Sequence, residues 1–214
     1  LYQSDYINYN WQNNFDNVQS KQFNALLNSN KYGCLSLDYT TINNYTYFLK
    51  NDQDVVKPFQ TDKTINYVRL KFNNEIKFGK FALNNTIRYQ NVLDGEGALN
   101  VPELSTRNTI YYANHFFEKK ALYLQTGITL NYFSSYNMDA YDPLLAEFYN
   151  QNQKEIGSFP RLDFFINAKV RQTRIFLKAE HFNSSFTGYS FYSAPNYPYR
   201  DFVVRFGIVW NFFL

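Results

Sequence analysis

Charge is scarce in this chain. Asp, Glu, Lys and Arg make up 18% of its 214 residues, against about a quarter in an ordinary soluble domain. The net charge of +3 is too small to argue for nucleic acid, and no long run of like charge occurs. Cys34 is the single cysteine, which excludes an internal disulfide and a thiolate metal cluster. No Gly-rich phosphate motif is present, and Gly95 and Gly97 read as turn residues. No cofactor is expected. No apolar run reaches the roughly 18 residues of a membrane helix. That leaves strands open, because a barrel strand crosses a membrane with about 9 to 11 alternating residues. The chain starts at Leu1 without an initiator methionine or a leader, and reads as a processed product or a fragment.

What is abundant is aromatic and amide. Tyr and Phe number 20 and 22, and aromatics reach 21%. The mean hydropathy is −0.48, its polar share carried largely by Asn, Gln, Ser and Thr. This combination suits strands that are wet on one side and apolar on the other.

The last segment shows the pattern most clearly. Phe202, Val204, Phe206, Ile208, Trp210, Phe212 and Leu214 alternate with Asp201, Val203, Arg205, Gly207, Val209, Asn211 and Phe213. The period is two, not 3.6. Upstream, Leu162, Phe164, Ile166, Ala168 and Val170 alternate with Arg161, Asp163, Phe165, Asn167 and Lys169. Thr173, Ile175, Leu177 and Ala179 alternate with Arg174, Phe176, Lys178 and Glu180. Similar alternation runs through 67–73, 80–89 and 122–132. The expectation is roughly eleven strands, near 3–15, 21–29 (or a short helix here), 32–41, 45–52, 64–74, 77–91, 106–117, 120–135, 159–170, 173–187 and 199–214.

Connections sort by length. Short ones are expected near 16–20, 42–44, 75–76, 118–119 and 171–172, long ones near 53–63, 92–105, 136–158 and 188–198. They alternate, except that the connection near 30–31 is short where a long one is due. Outer-membrane barrels have short periplasmic turns and longer outside loops. The fold class expected is therefore all-β: a transmembrane antiparallel β-barrel, or its C-terminal portion of about 10–11 strands, spanning 1–214 as one unit.

Facing follows from parity. Phe164, Ile166, Ile175, Leu177, Val204, Phe206, Ile208, Trp210 and Phe212 are expected to face lipid. Arg69, Lys71, Lys80, Arg88, Arg107, Arg161, Asp163, Lys169, Arg174, Lys178, Glu180 and Arg205 are expected to line the interior. Ten of the inward groups are basic, against Asp38, Asp163, Glu180 and Asp201, so a mild anion preference is expected. Lys169, Arg174 and Arg205 are expected to form one basic patch. Trp210 and Phe212 are expected as interface anchors at one end, and Tyr189, Tyr192, Tyr197 and Tyr199 at the other. Tyr123 and Phe165 point inward, where a file of aromatics can stack sugars.

A few residues invite sharper chemistry. His181 lies near Ser184 and Ser185, as a serine hydrolase requires. It carries the parity of the lipid set, however, so an interfacial histidine is the plainer reading; His115 is the other histidine. Asp139 and Asp142 beside His181 lack the spacing of a catalytic pair. Asp139 with Asp142, and Asp94 with Glu96, read as solvated loop charge rather than a metal site. No catalytic residue and no metal ligand is assigned.

The stretches DAYDPLLAEFYNQNQ, IGSFPRLDFFINAKVRQTRIFLKAEHFNSSFTG and FYSAPNYPYRDFVVRFGIVWNFFL resemble the C-terminal region of the putative outer-membrane porins of the Bacteroidetes. TINNYTYFL followed by PFQTDK fits as well. The final residue is Leu214, where many barrels end in Phe. The resemblance implies a longer protein whose N-terminal strands precede Leu1, in the bacterial outer membrane. It implies a porin for passive diffusion of small hydrophilic solutes; the alternative is a plugged barrel subunit of a larger transport, secretion or adhesion complex. An enzyme is not expected. Expected partners are the lipid bilayer, lipopolysaccharide, and the barrel-assembly machinery through the C-terminal strand.

Overall fold

A computed structural model describes residues 2–6, 9–95, 97–187 and 191–211. In chain order the strands are β1 (Gln3–Tyr6), β2 (Tyr9–Gln12), β3 (Gln19–Ser29), β4 (Gly33–Asn43), β5 (Thr46–Lys50) and β6 (Val56–Gln60). Then follow β7 (Ile65–Phe78), β8 (Phe81–Asp94), β9 (Leu104–Phe116), β10 (Leu122–Phe133), β11 (Ala140–Asp142) and β12 (Glu147–Asn150). The last are β13 (Arg161–Val170), β14 (Thr173–Glu180), β15 (Tyr192–Ala194), β16 (Tyr197–Pro198) and β17 (Val203–Trp210). A four-residue helix, α1 (Ser184–Thr187), precedes β15.

Nine of these strands make one sheet in the order β17-β14-β13-β10-β9-β8-β7-β4-β3. Every neighbouring pair is antiparallel, so the sheet is a meander in chain order. Its tight turns, at 30–32, 79–80, 117–121 and 171–172, fall at one end. Its long connections, 44–64, 95–103, 134–160 and 181–202, fall at the other. The chain is all-β and mostly antiparallel, and among the described residues β3 and β17 are edges, so the sheet is open.

Several expected elements are corrected. The segments near 3–15 and 45–52 do not join the main sheet. The first is the β1–β2 hairpin, and the second is β5, which pairs with β6 and, in parallel, with β12. With β11 they form a small sheet, β11-β12-β5-β6, at the long-loop end. Removing both leaves nine strands in the main sheet, and the irregular connection near 30–31 becomes an ordinary tight turn. The segment 21–29 is strand, not helix. β14 stops at Glu180, and 184–187 is helical.

The turn expected near 75–76 lies instead at Gly79 and Lys80, where Gly79 takes φ +65°, a left-handed conformation that glycine adopts without steric cost. The polar run Asn73-Asn74-Glu75 looks like a turn but stays in β7. Asn85 Nδ2 donates to Asn74 Oδ1 at 2.9 Å, and Asn108 Nδ2 donates to Asn85 Oδ1 at 2.8 Å. This amide ladder spans β7, β8 and β9 and satisfies groups that a turn would have left to water.

Burial is inverted relative to a soluble sheet. Asp38 and Thr129 are each 4% exposed, while Ile110 and Ile128, in central strands, are 49% and 41% exposed. The buried apolar side chains gather instead at the long-loop end: Val56, Ile65, Ala98, Ala140, Ile156, Phe191 and Ala194. Only Ala82 among the buried apolar set lies near the tight turns. The hydrophobic core thus sits under the loops, and the β1–β2 hairpin docks there, with the Trp11 and Phe48 rings 6.4 Å apart.

Candidate functional site

The site is the polar face of the nine-stranded sheet. Register places side chains on it in rows that cross the strands. Tyr111 pairs with Gly127, Gly127 with Phe165, Phe165 with Lys178, and Lys178 with Arg205. Because successive residues alternate faces, these pairings fix the parity of whole strands. Arg69, Lys71, Arg88, Arg107, Arg161, Asp163, Lys169, Arg174, Lys178, Glu180 and Arg205 all share this face. Lys80 does not belong with them, since it occupies the β7–β8 turn. Asp201 precedes β17 and is not in a strand. Glu75 and Lys77 belong to the face and were hidden by the misplaced turn; the period-two pattern continued through Phe78 would have found them.

The other face is apolar. Ile208 pairs with Ile175 and Phe206 with Leu177. Leu177 pairs with Ile166, and Phe164 with Ile128. Val204 and Trp210 share that parity. Phe206 is 82% exposed. Phe212 and Tyr189 lie outside the described residues. Of the tyrosines expected as outer anchors, Tyr192 and Tyr197 are in the β15–β16 hairpin. Tyr199 stacks between the Arg161 guanidinium, 4.7 Å away, and the His181 ring, 5.6 Å away. These rings pack within the loop layer rather than stand in a girdle.

Two carboxylate clusters organise the polar face. Asp38 Oδ2 meets Arg69 Nη2 at 2.8 Å, and Oδ1 accepts from Asn24 and Gln22 on β3. At the other side, Glu180 Oε1 takes Lys178 Nζ at 2.8 Å, while its Oε2 takes Arg200 Nη2 at 2.7 Å and Arg205 Nε at 3.2 Å. Lys178 also lies 3.7 Å from Asp163. Asp163 Oδ1 accepts the His181 backbone N–H at 2.9 Å. The expected basic patch is therefore split. Lys169 and Arg174 face each other directly, whereas Arg205 joins the carboxylates farther along β17. Between these clusters lies a hollow of about 310 Å³ bordered by Arg107, Gln125, Thr129, Phe165, Asn167 and Lys178.

His181 is not an interfacial side chain. It follows the end of β14, takes φ +53°, and is fully buried. Its Nδ1 lies 3.0 Å from the Arg200 carbonyl, and Nε2 has no hydrogen-bond partner among the described residues. Neither Ser184 nor Ser185 therefore engages the imidazole. Asp142 caps a turn, with Oδ1 accepting from the N–H groups of Leu144 and Leu145. Asp139 sits in the loop layer, its Oδ1 buried and without a hydrogen-bond partner among the described residues. Burial raises its pKa, opposed by a hydrogen bond from Asn100. Tyr136 and Tyr45 are raised by burial and then by the Asp139 charge.

A protein-family model described as "putative porin" matches residues 1–214, the whole chain. No curated protein and no solved structure matches it.

Proposed function

This chain belongs to the putative porin family along its whole length, and from that premise we propose that its nine-stranded sheet is wall of a bacterial outer-membrane β-barrel. The polar face lines a water-filled pore through which small hydrophilic solutes diffuse passively. The single observation that carries this reading is the inverted burial, with the carboxylates of Asp38, Asp163 and Glu180 buried on one face and isoleucine and phenylalanine exposed on the other. A charge at the midplane of the lipid face would cost about 2–4 kcal/mol; every ionic group placed above avoids that side. Hydrocarbon offers no partner for edge N–H and C=O groups, so in the bilayer the edges of β3 and β17 are each paired within a closed barrel. The sorting of long loops to one end matches the outside of such barrels.

In this reading the apolar face meets the bilayer, the outer rim meets lipopolysaccharide, and the C-terminal strand engages the barrel-assembly machinery. No catalytic step is assigned. A second reading is a plugged barrel subunit of a larger complex. It is favoured by the small sheet and the β1–β2 hairpin, which build a packed layer at the long-loop end. Reconstitution in planar bilayers separates the two. Discrete conductance steps are expected of the pore; folded, inserted protein that conducts nothing and co-purifies with stoichiometric partners would support the plugged form.

A further inference from the structure

On the polar face, beside the Asp38–Arg69 pair, three cations stand near one another without an ion pair of their own among the described residues. Lys71 on β7 lies directly opposite Arg88 on β8. Ser36 faces Lys71 from β4, and Ser105 faces Arg88 from β9. Arg107 stands two residues beyond Ser105 on β9, opposite Thr86, and so is the diagonal neighbour of Arg88, about 7–8 Å away in backbone terms. Like charges placed directly opposite destabilise a strand pair. The carboxylates that might relieve them are committed elsewhere: Asp38 to Arg69, Glu75 to Lys77, Asp163 and Glu180 to the cations of β14 and β17. Among the described residues no ion pair reaches Lys71, Arg88 or Arg107. The Nε of Arg88 is buried and has no hydrogen-bond partner. A guanidinium donor shut off from water and left unpaired is costly, unless something not yet bound accepts from it.

We propose that Lys71, Arg88 and Arg107, with the hydroxyls of Ser36 and Ser105, form an oxyanion-binding site for phosphate- or carboxylate-bearing solutes. The inference rests on the pore reading for its role, since on that reading the site faces the permeation path. The chemistry is that of a donor array: the planar fork of Arg88 matches two oxygens of one anion, Lys71 adds a point charge, and Arg107, between this row and the hollow, adds a second guanidinium. The serines extend the row with neutral donors, and the neighbouring carboxylate of Asp38 is already taken by Arg69. Ten basic positions spread over the wall would give only a diffuse bias; this cluster gives a place where an anion pauses.

The test uses inorganic phosphate and, separately, succinate as probes. Binding is measured by calorimetry on the protein refolded in detergent micelles, and conductance block by the same anions in planar bilayers. Saturable binding is expected, weakened at least about tenfold in Arg88→Gln and in Lys71→Gln, in line with loss of a charge-assisted hydrogen bond. Lys169→Gln/Arg174→Gln should bind within about twofold of the parent, because those residues lie elsewhere on the wall. Heat-resistant gel mobility checks that each variant folds, and Lys71→Gln carries the test should Arg88→Gln not fold. Conductance without anion binding, or binding equal in parent and both variants, overturns the site and leaves the pore intact. Binding without conductance keeps the site and overturns the pore.

Discussion

The Oε2 of Glu180 lies 2.7 Å from the Nη2 of Arg200, tying the last residue of β14 to the loop that leads into β17. The same carboxylate also holds Lys178 and Arg205, and its side chain is only 11% exposed. Glu180→Gln leaves Lys178 with Asp163 alone and takes the carboxylate from Arg200 and Arg205. A loss of about 1–3 kcal/mol is expected, read by urea unfolding in lipid vesicles. A double-mutant cycle with Arg205→Gln should show coupling, because the two groups touch. Additive losses would mean that the ion pair contributes nothing.

The two faces predict opposite responses to the same substitution on one strand. Phe206 lies on the apolar face of β17 and Val209 on the polar face. Phe206→Arg should cost about 2–4 kcal/mol or block membrane insertion, while Val209→Arg should insert and fold near normally. Equal behaviour of the two in a vesicle folding assay would sink the assignment of lipid and lumen sides.

The asparagine ladder makes a prediction of the opposite kind from ordinary truncation. Asn85 links Asn74 and Asn108 on the apolar face. Asn85→Leu strands an amide on each side in an apolar setting, for a loss of about 1–3 kcal/mol. Replacing all three by Leu removes both stranded amides, leaving only the Thr106 hydroxyl without its Asn108 acceptor, and should cost less than the single change. Unfolding midpoints of the single and triple variants decide it; a triple variant worse than the single contradicts this account.

Asp139 predicts a pH response of the loop layer. Its pKa is raised in the folded state by burial, so the folded loop holds its proton to higher pH than the unfolded chain does. The stabilisation is present at low pH and is lost as pH rises from the ordinary carboxylate range through the raised value. Above that window the loop carries a buried charge. Limited proteolysis within 134–160 should therefore speed up with rising pH, and Asp139→Asn should flatten the profile. A parent profile that slows with rising pH would reverse the sign and refute it.

Cys34 reports the same geometry from a different direction. It stands opposite Asn28 and Asn73, on the polar face near the tight-turn end. On the pore reading a small anionic thiol reagent reaches it in intact vesicles and reduces conductance, while a reagent too bulky for the pore does not. Labelling only by lipid-soluble reagents would place it on the wrong side.

The sequence by itself determined which side chains share a face. Alternation along Val204–Trp210, Arg161–Val170 and Thr173–Glu180 assigns each residue a face, because a strand turns successive side chains to opposite sides whatever it pairs with. Loop lengths sorted the two ends for the same local reason. Tertiary structure decided everything that depends on partners distant in sequence. Thr46–Lys50 reads from its composition as another strand of the main sheet, yet it pairs with Val56–Gln60 and Glu147–Asn150 in the loop layer. The polar run at Asn73–Glu75 stays extended because Asn85 and Asn108, across two neighbouring strands, complete the ladder of amides. Arg205 belongs with Glu180 and not with Lys169 and Arg174, because register slides charges along a strand by distances that parity cannot see. Parity is a property of one strand, whereas registry and hydrogen-bond partners are properties of two.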